Sequence, residues 1–351
     1  MKNTIGTAVS VTLFGESHGA MIGAVLDGIA PGVGLDLDFM RAQLALRRPQ
    51  GTLATARVEQ DEFSIVSGVV QGVCTGTPIT ILIPNTQQES RDYTALSNEP
   101  RPSHADYAAT CKYHGFEDAR GGGHFSGRIT APLVAAGAVA RSILKWHGIV
   151  IGTHLSVCAG IADMPLPQEL SALEAALCRL ETKQFPTLSD AAGDAMKAAI
   201  EAARAARDSV GGVLETAVTG LPAGVGEPWF DTVEGVLAKL LFSIPAVKGV
   251  EFGSGFALAG LRGSAANDPF YYDETGAVKT RTNHSGGING GITNGMPLVI
   301  RTAVKPTPSI YLPQQTVNLA RREEVTLAIQ GRHDPAIVHR ARVVADSVIA
   351  L

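Results

Sequence analysis

Val25-Leu26-Asp27-Gly28-Ile29-Ala30-Pro31-Gly32-Val33-Gly34 is echoed at a constant offset by Ala217-Val218-Thr219-Gly220-Leu221-Pro222-Ala223-Gly224-Val225-Gly226, and three glycines coincide. In both stretches a strand-like run meets a glycine-rich turn and then a helical pattern, residues 38–46 in the first and 231–242 in the second. The echo implies two related strand-turn-helix-strand halves. Because both would contribute to one core, residues 1–351 read as a single domain; the alternative is a chance likeness between glycine-rich turns.

Outward from the first copy, residues 4–14 and 20–29 are β-rich runs flanking the turn Gly15-Glu16-Ser17-His18-Gly19, which predicts strand, functional turn, strand. Asp36 or Asp38 caps a helix to about Leu46; strands follow near 62–66 and 78–83, then a loop over 86–103. Ser126 opens a long helix to about Trp146, where Ala135, Ala136, Gly137, Ala138 and Ala140 permit the close packing expected of a buried central helix. Amphipathic helices are expected over 168–181 and 189–207, then a strand over 212–219, a helix over 230–242 and a last helix from Pro335 onward.

Apolar residues make up 45% of the 351 and charged residues 18%, a composition that fills a core and excludes general disorder. A formal charge of -4 argues against nucleic acid or an anionic membrane as partner, so any anion site is local. The apolar stretch 132–144 is cut by Arg141, well short of the ~20 residues that span a bilayer, and no basic-then-apolar leader opens the chain; a soluble, cytoplasmic protein is expected. Cys74, Cys111, Cys158 and Cys178 form no C-x-x-C pair, which favours reduced, buried thiols over a zinc cage or a disulfide framework; no metal is expected.

His18 and His104, the latter in Arg101-Pro102-Ser103-His104-Ala105-Asp106, each sit in a tight polar turn between apolar segments, a setting for acid-base chemistry. Gly121-Gly122-Gly123-His124-Phe125-Ser126-Gly127-Arg128 leads into the Ala-rich helix. Its glycines let backbone approach a ligand and its amides with Arg128 suit a phosphate, although a flexible connector with an N-cap has the same composition. Arg41, Arg47, Arg48 and Arg57 meet no acid until Glu59; their planar forks fit a multiply anionic molecule, or they form a solvated helix end. The glycine-dense loop 284–295 precedes a strand that delivers Lys305-Pro306-Thr307-Pro308-Ser309, groups suited to a phosphate tail and a polar ring edge; a plain surface loop is the alternative. Neither a P-loop nor a dinucleotide glycine pattern is present. In Gly331-Arg332-His333-Asp334-Pro335 the carboxylate either caps the last helix or acts as a base or orienting acceptor.

Taken in order, Gly15-Glu16-Ser17-His18-Gly19, Arg47-Arg48-Pro49, Arg101-Pro102-Ser103-His104-Ala105-Asp106, Arg120-Gly121-Gly122-Gly123, Ala246-Val247-Lys248-Gly249-Val250-Glu251, Asn283-His284-Ser285-Gly286-Gly287 and Gly331-Arg332-His333-Asp334-Pro335 resemble the chorismate synthase family along essentially the whole chain. The resemblance implies an α+β fold, a β-α-β sandwich of two similar halves around buried helices, and a homotetramer. It further implies a lyase that converts 5-enolpyruvylshikimate 3-phosphate to chorismate and phosphate by an anti-1,4-elimination requiring reduced FMN. No net redox change occurs, and whether NADPH serves as reductant of the flavin stays open. A substrate with two carboxylates and a phosphate accounts for an arginine cluster in an acidic chain.

By the same match His18, with Ser17 beside it, protonates the departing phosphate, His104 supplies a proton near the flavin N1 edge, and Asp334 helps remove the ring proton. Substrate contacts are implied at Arg47, Arg48, Arg57, Arg101 and Arg128. Flavin contacts are implied at His124, Phe125, Ser126, Ala246, Gly290, Lys305, Pro306, Thr307, Pro308, Ser309 and Arg332. The chain departs from the family's Arg-Ser-Ser-Ala-Arg-Glu-Thr at 124–130, has Pro245 for a common Asn and Ser103 for a Gly, and carries Leu53 and Ala54 where an arginine is usual. Two readings compete. A non-catalytic flavin or phosphometabolite binder would not need two proton donors and a base, and an NADPH-dependent flavin reductase would need a nicotinamide site that the sequence does not display.

Overall fold

The computed structural model describes residues 2–49, 61–86, 98–329 and 333–351, and in it both copies of the echoed stretch begin within the central strand of a five-stranded antiparallel sheet. In the first half β1 (Thr4–Gly6), β2 (Ser10–Gly15) and β3 (Met21–Asp27) pair in succession, α1 (Leu37–Arg47) follows, and β4 (Ser64–Ser67) and β5 (Ile79–Pro84) complete the order β1-β2-β3-β5-β4. Helices α2 (Asp106–Tyr113) and α3 (Thr130–Trp146) close this half. In the second half β6 (Val150–Cys158), β7 (Ile161–Ala162), α4 (Leu170–Glu181) and α5 (Asp190–Ala205) precede β8 (Gly212–Thr219). After it come α6 (Val233–Leu241), β9 (Val247–Phe252), β10 (Leu298–Val304) and α7 (Val338–Ala350), and the sheet order is β7-β6-β8-β10-β9. The two orders correspond: a central strand, a glycine turn, a helix, an edge strand, an inner strand and a closing helix, α3 or α7.

Sequence dictates these elements locally. Asp36 accepts from the Phe39 amide at 2.9 Å and starts α1, while extended Arg48 followed by Pro49 ends it. In β5, Ile79, Ile81 and Ile83 are buried between half-buried neighbours, the period-2 pattern of a strand with one face on the core. Every residue of α3 from Thr130 to Arg141 is buried, so this helix lies between the sheets. It packs against α1, α7 and strands of both sheets, and α7 packs on β6 and β8. One apolar cluster joins Leu26, Ile81 and Val134 to Leu214, Ile300 and Val344, which makes the layering sheet, helices, sheet. On the outer face of the second sheet, Leu173, Leu177 and Leu180 of α4 meet Ala217.

Several expectations change. Bends over residues 7–9 divide the first β-run into β1 and β2. Ser126 does not open α3; its hydroxyl caps a single 3-10 turn (Gly127–Ile129) by accepting from the Arg128 amide, and the helix starts at Thr130. Strand β6 buries Ile151 through Leu155 without interruption, polar Thr153 and His154 included, so no alternation marks it in the sequence. All four cysteines are free, but Cys111 and Cys178 are exposed rather than buried, because they face outward from α2 and α4. Among the described residues no helix is long and apolar enough to cross a membrane.

Candidate active site

The turn between β2 and β3 buries Ser17 and His18, which are 2% and 6% exposed. The Ser17 amide donates to Gly123 O at 3.1 Å, and its hydroxyl lies 3.3 Å from the carbonyls of Arg120 and Gly121 and 3.2 Å from His18 Nδ1. Asn85, at the end of β5, closes the turn by donating to the Glu16 and Gly19 carbonyls at 3.0 and 2.8 Å. Asn85 carries no motif and went unrecognised in the sequence.

The triple-glycine run is what joins the two histidines. Gly121 and Gly122 have φ of +59° and +85°, a region open to glycine. A Cβ on Gly121 would stand 2.0 Å from His18 Cε1, and one on Gly122 would stand 3.3 Å from His104 Cε1. Adjacent Cα atoms are about 3.8 Å apart, so the two imidazoles flank a single peptide unit.

Around His104 the groups form a tight set. Asp106 Oδ1 lies 2.5 Å from His104 Nδ1, while Arg101 donates to Asp106 from Nε and Nη2, each at 2.7 Å, and from its amide at 3.0 Å. Arg101, expected at the substrate, therefore has its fork engaged by a carboxylate of its own turn. Burial alone would raise the Asp106 carboxyl, but hydrogen bonds from Arg101 and His104 hold it well below the usual range. A pocket beside this set is lined by His104, Gly122, Phe125, Glu117, Asp118 and Leu319. The Arg120 hydrogen bond, opposed by partial burial and aided by the charge of His18, lowers the Asp118 carboxyl.

Arg47 and Arg128 also meet an acid that the sequence reading passed over. Buried Asp61 accepts from Arg47 at 2.9 Å and from Arg128, and Arg48 Nε is 4.0 Å away. Burial would raise the Asp61 carboxyl; the two guanidinium charges keep it low. Among the described residues, three guanidinium groups face this one carboxylate. Arg128 Nε donates to Asn85 at 3.1 Å, which ties this locus to the Ser17–His18 turn. Arg57 and Arg332 lie outside the described residues.

Of the residues matched to flavin, several gather near His104. Lys305 Nζ donates to Ser103 O at 2.5 Å, and Ser309 Oγ is 3.5 Å from Arg101 Nη1. His124 Nδ1 donates to Gly15 O at 2.8 Å, and Phe125, partly exposed, makes an edge contact with Tyr113. Ala246, at φ +73°, accepts from the Lys305 amide at 3.0 Å. Pro306, Thr307 and Pro308 lie between Lys305 and Ser309. Gly290 lies in a hairpin (Ile288–Asn289 with Ile292–Thr293) whose Gly291 carbonyl accepts from the Val233 amide at the start of α6. Asp334 does not cap α7, whose N-cap is Ile337; it pairs with Arg340 instead. Its neighbour His333 makes a tilted ring contact with Tyr311, two residues beyond Ser309.

A family model for chorismate synthase matches residues 9–351. Chorismate synthases of Thermococcus kodakarensis, Methanocella arvoryzae and Chitinophaga pinensis are 46%, 45% and 45% identical to the chain, over 98%, 99% and 99% of it and 94%, 92% and 94% of their own lengths. A crystal structure of a chorismate synthase has the same fold, with a TM-score of 0.76 at 28% identity over 97% of this chain and 89% of that one. With a match of this extent and relatives this similar, the chain belongs to the chorismate synthase family.

Proposed function

We propose that the chain is a lyase that eliminates phosphate from 5-enolpyruvylshikimate 3-phosphate in the anti-1,4 sense to give chorismate, with reduced FMN bound and no net redox change. The observation that carries this reading is the pair of imidazoles, His18 and His104, flanking one glycine turn. Breaking a carbon-oxygen bond to phosphate calls for a proton on the leaving group, and a binder has no such need. His18, with Ser17 Oγ beside its Nδ1, donates that proton. Arg47, Arg48 and Arg128, whose planar forks fit carboxylate and phosphate oxygens, bind the substrate's three anionic groups, with Arg57 and Arg332 assigned alongside them. Asp334 assists removal of the ring proton, and His104 holds a proton for the flavin's pyrimidine edge.

FMN fits the residues present. Thr307 Oγ1 is buried with no hydrogen-bond partner among the described residues, Lys305 contributes an ammonium two positions before it, and Phe125 offers an exposed ring. When bound, the reduced flavin supplies transient electron density to the substrate ring. His124, Ser126, Ala246, Gly290, Pro306, Pro308 and Ser309 are assigned to its placement. The working form is proposed to be a cytoplasmic homotetramer.

Anaerobic incubation of the protein with pre-reduced FMN and substrate should release phosphate and chorismate in equal amounts. His18→Ala and His104→Ala should each slow turnover by about 100- to 10,000-fold with the fold intact. Absence of both products from the unmodified protein would sink the assignment in favour of a binding role. Replacing pre-reduced FMN by oxidised FMN and NADPH decides whether the chain reduces its own flavin.

A further inference from the structure

We infer that Asp106 is a positioning residue that fixes His104 as the Nδ1–H tautomer, with Arg101 acting as the clamp on Asp106 and not as a ligand of the substrate. The argument starts from the 2.5 Å separation of Asp106 Oδ1 and His104 Nδ1. Two bare acceptors at that distance would repel, so a proton lies between them. Arg101 donates three hydrogen bonds to the same carboxylate, two from its side chain and one from its backbone, which keeps the carboxylate ionised. The proton therefore belongs to Nδ1. Arg101 Nη2 also lies 3.0 Å from Nδ1, but one of its two hydrogens serves Oδ1 at 2.7 Å, and a second aimed at Nδ1 would leave that nitrogen and Oδ1 as two bare acceptors 2.5 Å apart, the arrangement already excluded.

The consequence is directional. With Nδ1–H held by Asp106, the nitrogen that gains and loses a proton is Nε2, which lies on the Gly122 side of the ring, 3.5 Å from where a Cβ on Gly122 would stand. A buried side chain 7% exposed, with its fork bound to Asp106 and its remaining nitrogen near Ser309, has its donors directed within the protein. Arg101 thus belongs to the support of His104.

The inference rests on the proposed use of His104 as a proton donor, yet its first test needs neither substrate nor flavin. Long-range proton-nitrogen correlation spectra of histidine-labelled, ligand-free protein, recorded with the imidazole neutral, should show Nδ1 protonated and Nε2 bare. Asp106→Asn should invert this. Facing the Arg101 amide and Nε, the new side chain keeps its oxygen there and turns its NH2 toward His104, which forces Nδ1 to accept. Turnover should then fall by about 100- to 10,000-fold, the range for a mis-set catalytic histidine. The double variant His104→Ala with Asp106→Asn should lose no more than His104→Ala alone, whereas an independent structural role for Asp106 would add a second loss. Arg101→Lys should lower kcat with substrate KM within a few-fold and yield mixed tautomers. A wild-type ring protonated at Nε2, or an Arg101→Lys variant with raised KM and an unchanged tautomer, would overturn the inference. Failure of the elimination assay with the Nδ1–H tautomer intact would instead count against the proposed reaction alone.

Discussion

Position 121 has no room for a methyl group, because His18 is buried and cannot swing clear: a Cβ would also lie 2.3 Å from His18 Nδ1, on a backbone at φ +59°. Gly121→Ala should therefore displace the imidazole and cut turnover at least about tenfold while circular dichroism stays native, since most of the barrier reduction depends on placement. Unchanged turnover would mean that the ring tolerates the shift. At this scale the histidines were legible because small and polar neighbours set them off from the core. Asp61 was not legible. Its partners Arg47 and Arg128 lie 14 and 67 positions away, and nothing in the local sequence marks a carboxylate that will be buried between two distant guanidiniums. Asp106 stood inside a recognised motif, but its bond to His104 depends on how the turn folds back, which residue order alone does not specify.

Among the elements, α3 and α7 pack closely at Gly137, where a Cβ would stand 2.3 Å from Ser347 Cβ and 2.6 Å from its Cα. The neighbour is backbone of a buried helix, so it cannot yield cheaply. Gly137→Ala should destabilise the protein by about 1–3 kcal/mol in denaturant titration despite the better helix propensity of alanine. A gain in stability would show that the helices can separate without loss. The Ala-rich composition that made α3 readable as a central helix is the same property that permits this approach. Its start was misplaced by a few residues because Ser126 is a good cap and does cap, but for one 3-10 turn. Strand β6 was missed for the opposite reason: burial on both faces removes the alternation by which a strand is recognised.

For the whole molecule, the shared cluster of Val134, Val139, Val343 and Val344 means that neither half can bury its closing helix alone. We propose that residues 1–351 fold as one unit, so thermal unfolding should give a single transition by calorimetry, with calorimetric and van't Hoff enthalpies in agreement per cooperative unit. Two resolved transitions would show that the halves are separate domains. The echo between 25–34 and 217–226 made the duplicated plan legible, because a glycine turn after a central strand leaves a local signature in both places. The helices of the insertion that breaks the parallel were legible too, but not that they interrupt it, because the strand before them was missed. Between the first two long strands of one half lie residues 16–20, the turn that carries Ser17 and His18; in the corresponding place of the other half lie residues 159–211, with α4 and α5. Pseudo-symmetry here is confined to the scaffolding. Where one half spans that gap with a five-residue turn, the other lays a helix across the outer face of its sheet, so one duplicated plan yields two unlike surfaces.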